Sequence, residues 1–215
     1  MVKELIQDGD VVIDIGANLG YFSKTFSRLS PNGKVICIEP LPQYYSILKY
    51  FLGSRKNIEI HNVALGKDAG EVTMILPKSN GMIRTGLPYI SKSGKKSEHP
   101  TQQVQIVNPN SLLKNLSKID YIKCDIEGFE WIVFKELKEL LEQYQPIVQI
   151  EISTENTADS DAVAAQMQRI VERISIYKRV GGKYAPAIAI PSVCVKAHKW
   201  DALAHNSSLW KPHEY

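Results

Sequence analysis

The chain has 215 residues, a formal net charge of +3 and an ordinary balance of 44% hydrophobic and 23% charged residues. That length suits one domain around a single large core. So mild a charge speaks against a dedicated nucleic-acid surface, which needs a strongly basic stripe. Three cysteines cannot all pair, no Cys/His cluster has zinc spacing, and no apolar run approaches the ~20 residues that cross a membrane. With no charged-then-apolar leader at its start, the chain is expected in the reducing cytoplasm.

Val11, Val12, Ile13 and Ile15 form a β-branched run around Asp14, followed by Gly16 and Gly20 and then by Phe22, Phe26 and Leu29 at helical spacing. This spells strand, tight turn and helix, with the turn at the carboxyl end of the strand, where open α/β sheets bind ligands. Residues 34–38 predict a second strand tipped by Glu39-Pro40. Behind Pro42, residues 43–51 predict a helix with Tyr44, Ile47, Leu48 and Phe51 on one face. Residues 57–65 read as a third strand closed by Gly66, and residues 71–76 as a further short strand.

Residues 77–103 break the pattern. Lys78, Arg84, Lys92, Lys95 and Lys96 lie among Ser, Gly and Pro with Glu98 the lone acid, the composition of a long loop, either a lid or a merely solvated one. Residues 104–107 alternate like an edge strand. Residues 120–130 read as a strand and its exit loop, which carries Asp125, Glu127 and Gly128 into a helix over 130–144, with Val133, Leu137, Leu140, Leu141 and Tyr144 on one face. Residues 147–152 predict a strand tipped by Glu151, followed by a helix carrying Val163, Met167, Ile170, Val171 and Ile174. Gly181-Gly182 suggests a hairpin turn, and residues 193–195 and 207–210 two last strands. Strands alternating with helices imply an α/β fold, a mostly parallel sheet covered on both faces.

The strand tips carry the chemistry. Glycines in the first turn allow positive φ and close backbone approach to a ligand. Asp14 places negative charge there, which suits an ammonium or sulfonium group and not a diphosphate. The dinucleotide fingerprint G-x-G-x-x-G is also missing: Asn18 stands where its second glycine would let the backbone meet the diphosphate. Glu39 can accept two hydrogen bonds from a ribose diol, each worth roughly 1.5–3 kcal/mol. The two tips together read as a nucleoside site with a cationic tail, S-adenosylmethionine in preference to NAD.

The stretches GDVVIDIGANLGYFS (9–23), VICIEP (35–40), NVALG (62–66), IDYIKCDIEGFE (119–130) and IVQIEI (147–152) resemble, in order, the FkbM family of S-adenosylmethionine-dependent methyltransferases. The K-x-D-x-E-G-x-E pattern from Lys123 to Glu130 is the most specific of them. The resemblance implies a seven-stranded Rossmann-like sheet and methylation of a hydroxyl on a sugar or natural-product acceptor. Length and composition give a single domain over 1–215 with the basic loop of 77–103 inserted, and charge and hydropathy leave no nucleic-acid or membrane partner expected. Gly16, Ala17, Asn18, Gly20 and Tyr21 would lie under the methionine part of the cofactor, with Asp14 orienting that loop or taking the ammonium group. Glu39 and Pro40 would hold the ribose, and Asn62, Val63 and Ala64 would line the adenine, unless Asn62 merely bonds a turn.

Asp125 and Glu127, two apart, can point from one tip toward one cleft. A hydroxyl nucleophile needs help losing its proton, so Asp125 reads as base or orienting group beside the cofactor, with Glu127 catalytic or, like Glu130, fixing the loop. In the plainer reading these acids brace Lys123 or backbone amides. A divalent cation shared with Glu151 is the lesser alternative, and no metal is expected. His61, His99 and His205 show no partner, and Tyr44, Tyr45, Phe129 and Trp131 read as core. An NAD-dependent oxidoreductase and a non-catalytic binding module of the same fold are the rivals. The absence of an Asn/Asp-Pro-Pro-Tyr signature favours oxygen over nitrogen as acceptor.

Overall fold

The structure is a computed structural model, and it describes residues 2–79, 82–83, 88–91, 98–150, 177–180 and 183–186. Its elements run α1 (Val2–Leu5), β1 (Val11–Ile15), α2 (Tyr21–Leu29), β2 (Lys34–Ile38), α3 (Pro42–Leu52), β3 (Ile58–His61) and β4 (Ala64–Leu65). They continue with β5 (Gly70–Ile75), β6 (Lys78–Ser79), β7 (Met82–Ile83), β8 (Tyr89–Ile90), β9 (Thr101–Val107), α4 (Pro109–Leu113) and β10 (Tyr121–Cys124). Last come α5 (Glu130–Glu136), α6 (Lys138–Tyr144), β11 (Ile147–Ile150), β12 (Tyr177–Val180) and β13 (Lys183–Pro186).

Five strands form a parallel sheet in the order β11-β10-β1-β2-β3. The register places Ile13 between Ile122 and Ile36. Period two then sorts the side chains. Ile13, Ile15, Ile36, Ile38, Ile122 and Val148 face Leu113, Val133, Phe134, Leu137 and Leu141 of the α4–α6 side. Val12, Val35, Cys37 and Tyr121 face Ile6, Phe26, Leu48 and Leu52 on the other. Each fully buried aliphatic or aromatic side chain contributes about 1.5–3 kcal/mol, more than a typical single hydrogen bond, so these two layers hold the sheet. Cys37 and Cys124 are buried and unpaired.

A second sheet, ordered β4-β9-β5-β8, packs its inner side with Leu41 and Tyr44 in a third cluster. It revises several expectations. The strand over 57–65 is two: Asn62 donates its side-chain amide to the carbonyls of Glu39 and Pro40, each at 2.9 Å, and the chain leaves the parallel sheet there. The presumed edge strand, β9, lies between β4 and β5. Part of the 77–103 segment is β8, whose Ile90 pairs with Met74. The helix over 130–144 is interrupted at Leu137, which has φ −76° and ψ −4°. On α3 the buried stripe is Tyr44, Leu48 and Leu52, whereas Ile47 and Phe51 are exposed, because the i, i+4, i+8 row and not its neighbour meets the sheet.

β12 and β13 pair antiparallel across residues 181–182, as the Gly-Gly pair suggested. The parallel sheet has five strands among the described residues; Glu151, the helix expected after it, and the strands at 193–195 and 207–210 lie outside them. No helix among the described residues is long and apolar enough to cross a membrane.

Candidate active site

The carboxyl ends of β1, β2 and β10 meet at one cleft. The amides of Gly16 and Ala17 both donate to the carbonyl of Ile38 at 3.0 Å, and the amide of Asp125 donates to the carbonyl of Ile15 at 3.0 Å. These bonds tie the turn after β1 to both neighbouring strands. Gly16 has φ +77°, and a Cβ there would overlap the carbonyl oxygen of Asp125. The turn and the β10 exit loop therefore touch backbone to backbone. Gly16→Ala combines a left-handed φ with overpacking, about 2–4 kcal/mol together. In a chain of this size that should lower the melting temperature by roughly 5–15 °C. Calorimetric melting checks it, and an unchanged value would mean the two loops are not in contact.

Glu39 stands at the β2 tip, 4% exposed. Its Oε2 accepts from the amide of Asn18 at 2.8 Å and its Oε1 from the amide of Leu41 at 2.9 Å. The second bond satisfies the entry to α3, whose Leu41 cap has no side-chain oxygen of its own and is followed by Pro42. Burial pushes the carboxyl up to about 7; the amides of Leu41 and Asn18 pull it down, and Asp14 adds to the rise. Two amide bonds leave lone pairs on a carboxylate that can take about four.

Behind this wall lies a buried chain of charge. Asp14 is fully buried; its Oδ2 accepts from the Ser23 hydroxyl at 2.6 Å, and its Oδ1 lies 3.9 Å from the Lys123 ammonium. That ammonium is 3.2 Å from Asp125 Oδ2 and 4.8 Å from the centre of the Phe22 ring. Burial works against the Lys123 charge, but Asp14 and Asp125 outweigh it and hold its pKa above the ordinary lysine value. Burial raises the Asp14 carboxyl, while Lys123 and the Ser23 hydrogen bond oppose the rise.

The exit loop of β10 is tight. Glu127 adopts φ +53° and Gly128 φ +94°. A non-glycine residue in that region costs on the order of 1 kcal/mol and persists where its surroundings impose it, often beside a ligand. Glu130, buried at the start of α5, accepts the Gly128 amide at 2.9 Å and fixes the loop. Burial raises its carboxyl. The thiols of Cys37 and Cys124 are pushed up by burial, Cys37 to about 12, so neither is a nucleophile at neutral pH.

The cleft is shallow, with a cavity volume of about 70 Å³, and opens to solvent. Of the residues named from the sequence, Gly16, Asn18, Glu39, Pro40, Val63, Ala64, Asp125 and Glu127 line it. The others named with them stand elsewhere. Asp14 is fully buried against Ser23 and Lys123, Ala17 packs among Val12, Phe26 and Leu48, and Gly20 starts α2 against Leu48. Tyr21 is 81% exposed with its ring edge-on to Phe22, and Asn62 bonds the β2 exit.

Sequence reasoning missed Leu41, Tyr44, Met74, Pro88, Ile90 and Ile126, which with the strand residues Ile15, Ile38 and Leu65 complete the walls. Only Tyr44, on the same helical face as Leu48, had a local signal, and that signal pointed to the core. Among the described residues no three His, Cys, Asp or Glu side chains gather to hold a metal ion.

Residues 14–181, most of the chain, match the family profile of the methyltransferase FkbM domain. The chain belongs to the FkbM methyltransferase family. Methyltransferase 1 of Beauveria bassiana (strain ARSEF 2860) is 23% identical over 154 residues, 60% of this chain and 59% of that protein. The crystal structure of methyltransferase FkbM from Methylobacillus flagellatus KT aligns with a TM-score of 0.52 at 16% identity, over 80% of this chain and 40% of that one. The chain spans less than two thirds of either relative's length. The structural likeness concerns the fold, which is Rossmann-like in both, and the cleft of this FkbM domain sits where such sheets bind ligands.

Proposed function

We propose that this FkbM domain transfers the methyl group of S-adenosylmethionine to a hydroxyl oxygen of a sugar or natural-product acceptor. The observation that carries the reading is Glu39, a buried carboxylate at the β2 tip with each oxygen held by a backbone amide and lone pairs left for a ribose diol. The same bond argues against a dinucleotide, because the Asn18 amide that would meet a diphosphate is already taken by a negative charge. Val63 and Ala64 offer apolar walls beside it, as a base requires.

Asp14 is walled off from the cleft and serves by bracing α2 through Ser23 and by steadying Lys123. Asp125 and Glu127 supply the negative charge that a cationic tail meets. S-adenosylmethionine bound there supplies an electrophilic methyl carbon. The chain's own task is alignment and exclusion of water, and ordering two reactants is worth roughly 7–11 kcal/mol of barrier. Lys123 holds Asp125 Oδ2, which leaves the other oxygen to orient the acceptor hydroxyl and take its proton. The modest charge of the chain favours a small-molecule or glycan acceptor over nucleic acid, and its two buried unpaired thiols suit the cytoplasm.

Titration with S-adenosylhomocysteine and with NAD, followed by incubation of hydroxylated glycans and natural products with isotopically labelled methyl donor, tests the reading. Binding of NAD alone, or no label transfer to any oxygen, would sink it. Asp125→Asn should cut turnover by about 10²–10⁴-fold, a larger loss than the S-adenosylhomocysteine affinity it gives up by removing one of the two charges facing the tail. Normal turnover in that variant removes Asp125 from the chemistry.

A further inference from the structure

One buried polar group in the cleft wall is left unused by the fold. Tyr44 is 7% exposed, and its hydroxyl has no hydrogen-bond partner among the described residues. Burying an unpartnered hydroxyl costs roughly 1–3 kcal/mol, a cost that phenylalanine at the same position would avoid. A partner from outside the chain explains why the oxygen is there. Tyr44 lies in the first turn of α3, the helix whose Leu41 cap gives its amide to Glu39, so phenol and carboxylate stand on one short stretch of chain. Leu41, Ala64, Met74 and Ile90, all apolar and all lining the cleft, pack in one cluster with Tyr44. Burial, then the proximity of Glu39, raises the phenol above its ordinary range, so it is a neutral donor at any working pH.

We propose that the Tyr44 hydroxyl donates a hydrogen bond to the purine base of the bound nucleoside and is the polar selector at the apolar end of the cleft. This rests on the cofactor reading above. With the ribose on Glu39, the base is the part of the ligand that extends between the apolar walls. Adenine presents three ring nitrogens as acceptors, and the donor that an otherwise greasy pocket supplies to them is this phenol.

The test is calorimetric titration of the full chain and of Tyr44→Phe. The ligands are S-adenosylhomocysteine, 5′-methylthioadenosine, which lacks the amino-acid tail, and the 2′,3′-dideoxy form of the latter, which lacks the hydroxyls assigned to Glu39. Both proteins are also melted without ligand. The variant should bind all three about 5- to 20-fold more weakly than the wild type, and its ligand-free melting temperature should not fall. Equal binding by variant and wild type overturns the proposal. So does a loss confined to S-adenosylhomocysteine, which would put the hydroxyl on the tail, or one that vanishes with the dideoxy ligand, which would put it on the ribose. A ligand-free variant that melts several degrees lower would reveal a partner inside the protein and overturn the proposal as well. If the wild type itself binds none of the three, the cofactor reading falls with it, a pattern distinct from two proteins that bind alike.

Discussion

Glu39→Gln should weaken S-adenosylhomocysteine binding by about 30- to 1000-fold, the loss expected when two hydrogen bonds to a charged acceptor become bonds to a neutral one. The substitution also injures the wall itself. Asn18 and Leu41 both donate amides to the two carboxylate oxygens, and a carboxamide has one oxygen to offer. Its NH₂ must face one of those donors, which leaves a buried amide unpaired. Titration of the variant checks the result, and affinity within threefold of wild type would mean that the ribose is not held by Glu39.

The same carboxyl should make binding and stability depend on pH in opposite senses. In the ligand-free protein it titrates at about 7, against an ordinary 4.5, chiefly because it is buried. A ribose diol donates best to the ionised form, so affinity should climb as pH rises toward 7, by up to tenfold per unit, and level off above it. For stability the sign is reversed. Between pH 4.5 and 7 the unfolded chain has lost a proton that the folded chain keeps, so stability of the empty protein falls across that window, by up to ~3 kcal/mol. Melting curves over pH 4.5–8 should show this slope in the wild type and a flatter one in Glu39→Gln. Equal slopes would relocate the proton.

What can be read from the chain is what depends on near neighbours. The β-branched runs, the glycine that lets two loops meet at Gly16, and the acid at the β2 tip are local features, and the parallel sheet and half of the cleft follow from them. Asp14 shows where tip position alone misleads. Pleat parity groups it with Val12, whose face meets α2, so its carboxylate goes inward to Ser23 and Lys123. Lys123 has the same parity as Tyr121 and joins it on that face. Asn62 is not placed by its neighbours because its partners, the carbonyls of Glu39 and Pro40, are 23 and 22 residues away. Met74, Pro88 and Ile90 reach the cleft only through the β5–β8 pairing, and the pairing partner of a two-residue strand leaves no periodic trace. Helical periodicity puts Tyr44 on the packed face of α3, where it is, but that its oxygen has no partner among the described residues is a property of the assembled wall.

Lys123 should be the costliest charged side chain of the site to remove. It is 2% exposed and stands between two carboxylates, one of them, Asp14, with no contact to solvent. Deleting one partner of a buried pair costs about 3–5 kcal/mol, since the orphaned charge keeps its desolvation and loses its compensation. Lys123→Met should therefore melt roughly 6–20 °C below wild type at pH 7.5. The deficit should shrink as pH falls: without the ammonium the already raised Asp14 carboxyl titrates higher still, and its protonation removes the orphan. Asp14→Asn should be milder, because the carboxamide oxygen can still accept from Ser23. Combined with Lys123→Met, it should restore most of the lost stability, since a neutral pair replaces a lone buried anion. Thermal melts of the two single variants and the double variant form a closed cycle, and its coupling term separates two roles of the lysine. A large coupling means that Lys123 holds the fold together through Asp14; a small one would shift its work to Asp125, and the double variant would then fail in turnover while staying unstable.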